Sequence, residues 1–162
     1  MRKTFVFAAS VAWLLGAHAP MALAQTSGPE RMVIESRSGE PTRVEATGAV
    51  TDRGTVVDNV VLDPFTGAFS NHAVMMLAAG TLEFEDHGTA QLTLDPRSCV
   101  GTGHFVAPFS VSGGSRAYAG ASGTGTVIGD LKFIFDRTAD GCAPFPIRSW
   151  GIARATGTLT VP

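Results

Sequence analysis

Phe109-Ser110-Val111-Ser112-Gly113-Gly114-Ser115-Arg116-Ala117-Tyr118-Ala119-Gly120-Ala121-Ser122-Gly123-Thr124-Gly125-Thr126-Val127-Ile128 is the stretch on which the fold turns. Two β-prone segments flank a run of glycines and small residues, with the only tyrosine of the chain in its middle. Glycine at this density means that the backbone takes positive φ or passes very close to another segment. The stretch therefore reads as strand, tight turn, strand. It specifies an architecture and no reaction.

Downstream, Val127, Gly129, Leu131, Phe133 and Phe135 fall on one face of a strand. Thr126, Asp130 and Lys132 fall on the other, with Ile128 and Ile134 interrupting the alternation. Asp136–Pro146 reads as a long loop, and Ile147–Val161 as a final strand whose Gly151, Ala153, Ala155 and Gly157 face is unusually small. Upstream, Gly103–Phe109, Gln91–Leu94 and Leu82–Glu85 are strand-like, and Asp86-His87-Gly88 reads as a tight hairpin connection. Ala73–Ala79 has the propensity of a helical turn, but the alternation that follows Gly80-Thr81 favours strand across Ala68–Ala79. Met32–Glu35, Arg43–Val50 and Thr55–Leu62 complete the set, separated by turn chemistry at Thr51–Gly54 and Asp63–Gly67. The Gly-Thr dipeptide recurs seven times at irregular spacing, which fits strand entry rather than a solenoid repeat. No ten-residue amphipathic helix follows residue 24. Short strands separated by turns mean an all-β sandwich or barrel.

The beginning of the chain reads differently. Met1-Arg2-Lys3 is basic, Thr4–Ala17 is mostly apolar, and Ala22-Leu23-Ala24 offers the small-x-small pattern of a signal-peptidase site. Residues 1–24 are expected to be a secretion signal, with Gln25 the first mature residue. The apolar run is shorter than the roughly 20 residues that cross a bilayer. Residues 25–30 are polar and expected to fray, leaving 31–162 as one barrel domain. The expected location is the periplasm or the cell exterior.

The net charge of −2 becomes more acidic once Arg2 and Lys3 leave with the leader, and the remaining bases are scattered. A nucleic-acid binder carries a basic stripe. None exists here. Cys99 and Cys142 are the only cysteines, and an isolated pair in an oxidising compartment is expected to form a disulfide. In the chain-entropy account such a bond is worth about 4 kcal/mol. Two cysteines at this spacing do not make a zinc site.

At the central turn the chain resembles the allene oxide cyclase and dirigent-type β-barrels and their secreted bacterial relatives. The residues that carry the resemblance are Gly113-Gly114-Ser115-Arg116, Tyr118 and Gly120-Ala121-Ser122-Gly123. Ser115 and Arg116 stand where that pattern has Thr-Gly. The resemblance implies a single antiparallel barrel of about eight strands with an interior cavity. In the plant enzymes this cavity takes apolar substrates or radical-derived intermediates. Their catalytic acidic and polar residues have no residue-by-residue counterpart here, so neither activity is carried over.

Other constellations point less far. Gly120-x-x-Gly123-x-Gly125 resembles a phosphate cradle, but the segment after it is a strand, and the cradle needs a helix N-terminus. Ser115 sits in a distant likeness of a nucleophile elbow, without the following helix or a partner singled out among His72, His87 and His104. Glu83, Glu85, Asp86 and His87 form the densest group of possible ligands or acid–base residues, with Glu83 and Glu85 opposite Leu82 and Phe84. A solvated face ending in a turn accounts for them. Asp136 and Asp140 lack the alternating oxygen ligands of a calcium loop. No catalytic residue, metal site or cofactor is assigned.

The expected ligand cavity is lined by Phe105, Tyr118, Leu131, Phe133, Phe135, Ala153 and Ala155, with Tyr118 buried as a plug at one end. Three functions follow from this picture. The barrel binds a small apolar ligand or a partner, it is a cyclase- or isomerase-type enzyme using the same cavity, or it is a structural domain with a filled core. An open cavity holding a perturbed ionisable group favours the enzyme, an open apolar cavity the binder, and no cavity the structural domain.

Overall fold

A computed structural model describes residues 25–63 and 66–162, so the expected leader at 1–24 lies outside the described residues. Eight strands follow in order: β1 (Thr26–Arg37), β2 (Thr42–Gly48), β3 (Asp52–Leu62), β4 (Ala68–Leu77), β5 (Gly80–Asp95), β6 (Val100–Arg116), β7 (Ser122–Thr138) and β8 (Gly141–Val161). Each pairs antiparallel with the next, and β8 returns to β1, which closes an up-and-down barrel. Among the described residues there is no helix, and hence none long and apolar enough to cross a membrane.

The two-residue period of a strand assigns inside and outside. Met32, Val44, Val56, Met75, Leu82, Phe84, Phe109 and Val127 point inward and are buried. The odd-numbered face of β7 and the small face of β8 both point inward as expected, with Ala155 fully buried. The expected gap opposite that small face is largely filled by side chains from neighbouring strands. The Phe105 ring lies so close to Gly129 that a Cβ there would come within 2.1 Å of it. Gly125 is likewise covered by Phe109, and Gly151 by Leu131. Large residues on one strand enter the space left by glycines on the next, which is how a small barrel reaches interior packing density.

The central turn has the expected form. Gly114 sits where a Cβ would meet the carbonyl oxygens of Thr81 and Tyr118 at 2.3 and 2.5 Å, so no larger residue fits. Arg116 has φ of 54°, a left-handed conformation, at the position where the resembled pattern carries glycine. Ser115 is a turn residue, accepting the N–H of Tyr118 at its carbonyl and bonding Thr81 through its hydroxyl.

Three expectations are corrected. Residues 26–30 do not fray: they form the start of β1, paired with Gly157–Val161, because without them β8 would present an unpaired edge. Asp86-His87-Gly88 is not a hairpin connection but the middle of β5. Pairing of all three residues with β4, and of Asp86 with Phe109 of β6, outweighs local turn chemistry, and the reversal falls at Ala78-Ala79 instead. Asp136–Pro146 is not a long loop, because β7 runs to Thr138 and β8 begins at Gly141. Pro144 and Pro146 are tolerated there because β1 stops at Arg37 opposite Trp150 and the chain after it bonds β8 only as far as Ser149, through Ser38.

Candidate functional site

The two ends of the barrel differ in chemistry. At the end formed by the β6–β7 turn, Tyr118 is 8% exposed and its hydroxyl donates to Asp52 Oδ2 at 2.7 Å. Asp52 also accepts the backbone N–H groups of Ala78 and Ala79 at 3.3 and 3.0 Å, so it caps the β4–β5 turn. These contacts, the Ala79 N–H foremost, hold the Asp52 carboxyl below its ordinary range. Burial, reinforced by the Asp52 carboxylate, pushes the Tyr118 phenol up to about 12. Beside them Glu30 is buried, with Oε2 accepting from Val50 N at 2.8 Å and Oε1 without a hydrogen-bond partner among the described residues. Desolvation raises its pKa above the usual value. Tyr118 is buried at this end of the barrel, as expected.

The opposite end opens into a cavity of about 170 Å³ between the barrel walls. Its apolar lining includes Val56, Phe69, Phe84, Phe105, Leu131 and Ala153. Phe69 and Phe105 meet edge to face with centroids 5.0 Å apart, and together with Phe84 they give the space an aromatic wall. Set into that wall are Ser36, Thr42, Asp58, Asn71 and Asp86. Asp86 is only 4% exposed, and its Oδ1 accepts from Asn71 Nδ2 at 2.7 Å. Asn71 Oδ1 is shielded from water and has no hydrogen-bond partner among the described residues. Desolvation raises the Asp86 pKa above the ordinary carboxylate value; the Asn71 bond and His87 oppose the rise, and the Asp58 charge adds to it.

Of the residues expected to line the cavity, Phe105, Leu131 and Ala153 do so. Tyr118 lies at the far end. Ala155 is packed in the core outside the cavity lining. Phe133 and Phe135 belong to the outer part of β7, opposite Ser149 and Pro146 rather than Ala153 and Ala155, and Phe135 packs over Gly101. Asp86 was expected on a solvated face with Glu83, Glu85 and His87, and Asp58 and Asn71 were not singled out. Asp86 continues the inward series Leu82 and Phe84, but the hairpin reading cut that series short. Asn71 alternates with Phe69 and Ala73 in the same way. Asp58 follows Val56 on a part of β3 that is exposed, so it lines the cavity from the solvent side.

Elsewhere, Glu83 and Glu85 are exposed on the outer face, as expected. A wider groove of about 670 Å³ runs along the outside near the open end, carrying an exposed pair in which His104 Nδ1 and Asp130 Oδ1 lie 2.8 Å apart. Among the described residues no group of three or more His, Cys, Asp or Glu side chains is placed to hold a metal ion. The Cys99–Cys142 disulfide ties the start of β6 to the start of β8 beside the open end. No protein-family model, no curated protein and no solved structure matches the chain.

Proposed function

We propose that the chain is an exported β-barrel protein that holds a small apolar molecule in the cavity at its open end. The observation that carries this reading is the cavity itself: an aromatic and aliphatic space with a few convergent polar groups, in a fold whose other end is plugged. Interiors rarely keep voids much larger than a water molecule unless they are used. Export is supported by the leader-like sequence and by the disulfide, which belongs to oxidising compartments. Kinship with the allene oxide cyclase and dirigent-type barrels is part of the proposal, supported by the eight-strand closure and by the left-handed backbone at Arg116.

A second reading, a cyclase- or isomerase-type enzyme, is favoured specifically by Asp86. A carboxyl group with a raised pKa inside an apolar cavity is suited to general acid–base work. Mass spectrometry of an organic extract from the purified protein tests the binding reading, with a stoichiometric apolar compound as the expected result. An empty extract, together with no uptake of any apolar probe, would overturn it. For the enzyme reading, the extracted compound incubated with protein in D2O exchanges carbon-bound hydrogen or is converted, and Asp86→Asn stops this without stopping binding. An inert compound would leave the chain a binder.

A further inference from the structure

The charge inventory of the cavity is one-sided. Asp58 and Asp86 line it, and no Lys, Arg or His among the described residues does. Asp86 is more than nine-tenths buried, and among the described residues only Asn71 bonds its carboxylate, through Oδ1. A buried carboxylate without a cation is an expensive arrangement unless something else supplies the positive charge. The rings of Phe69, Phe84 and Phe105 share the same space, and aromatic faces attract cations, most strongly where water is excluded.

We propose that the occupant is a small apolar amine, its ammonium group bonded to Asp86 and facing Asp58, with its hydrocarbon body against Phe69, Phe84 and Phe105. The inference rests on the reading that the cavity binds a small apolar molecule, and it narrows the chemical class. An apolar anion is disfavoured by both carboxylates. A neutral hydrocarbon leaves Asp86 as it was. An alcohol gives Asp86 a hydrogen bond but no compensating charge, whereas an ammonium gives both.

Benzylamine, benzyl alcohol, toluene and benzoate are nearly equal in shape and differ in the group offered to Asp86. Their affinities for the disulfide-bonded chain, read by calorimetry and by NMR shift changes at pH ~7, where a primary amine is protonated, decide the matter. The expected order places benzylamine at least about tenfold tighter than benzyl alcohol, equivalent to about 1.4 kcal/mol. Asp86→Asn should collapse that ratio, and Asp58→Asn should reduce it, while toluene affinity stays the same or rises. If either variant does not fold, the other carries the test, because either one weakens the negative field. Equal affinities for benzylamine and benzyl alcohol, or tighter binding of benzoate, overturn the amine and leave the cavity reading standing. Binding of none of the four by the parent overturns both.

Discussion

Asp86 and Arg116 are the residues at which local chemistry opposes the fold most clearly. The folded pKa of Asp86 lies above its unfolded value, so between those two values the folded state binds more protons than the unfolded one. Its contribution to stability is therefore complete below the unfolded pKa and is lost as pH rises through the folded pKa. Asp86→Asn keeps the acceptor for Asn71 and removes the charge. The variant should be more stable than the parent at pH ~8 and indistinguishable near pH ~4, around the ordinary carboxylate value. Thermal midpoints of both proteins across that range check this, and taking the difference isolates Asp86 from Glu30, which shifts the same way, and from Asp52, which shifts oppositely. Arg116 holds φ of 54°, a conformation costing a side-chain-bearing residue roughly 1–2 kcal/mol. Arg116→Gly should be stabilising by about 1 kcal/mol in a denaturant melt, since glycine loses part of the gain as unfolded-state entropy. At the plug, Tyr118→Phe removes a donor to a charged acceptor that keeps its backbone partners Arg53, Ala78 and Ala79. A loss of about 1.5 kcal/mol is expected, against roughly 3–5 for Tyr118→Ala.

At the scale of elements, the long strands β5 to β8 outrun the rest of the barrel and depend on each other beyond it. The disulfide joins them at Cys99 and Cys142. Arg137 reinforces the joint by donating to the carbonyls of Pro96 and Arg97 from the neighbouring hairpin. Replacing both cysteines with serine should cost about 4 kcal/mol at most. Hydrogen exchange should accelerate at Asp95–Gly101 and Arg137–Cys142, while the plugged end keeps its protection. Uniform acceleration would mean that the bond acts through the unfolded chain alone. The same elements show what the sequence made legible. Alternation was readable wherever one side of a strand meets the core, so the bodies of β1 to β4 and the inward faces of β7 and β8 were anticipated, but not the start of β1 or the start of β3, where Thr51–Gly54 was expected to turn. It failed where turn-forming residues sit inside a strand, at Asp86-His87-Gly88 and around Pro144 and Pro146. Pairing with non-local neighbours decides those places, and a single sequence does not display its neighbours. Misreading the middle of β5 also hid Asp86, so half of the site was lost to an error about an element.

Across the whole molecule, the closed barrel separates a plugged end from an open one, and Ala153 and Ala155 mark the division. Both lie on the inward face of β8, two residues apart. Ala153 lines the cavity, whereas Ala155 is 0% exposed and packed in the core. A leucine at each position therefore tests different things. Ala153→Leu places extra carbon in empty space, so the protein should stay folded with stability within about 1.5 kcal/mol of the parent while apolar dye no longer fluoresces with it. Ala155→Leu forces the same carbons into a filled region opposite Val127, with an expected loss of about 1–3 kcal/mol. Dye binding should persist in whatever fraction remains folded, because the cavity itself is untouched. Dye fluorescence and urea midpoints measured on both variants separate the two effects. If Ala153→Leu binds dye as the parent does, the dye sits elsewhere, and the outer groove beside His104 and Asp130 becomes the place to look. If the two variants are equally destabilised, the interior is full at both positions and the barrel is a structural domain.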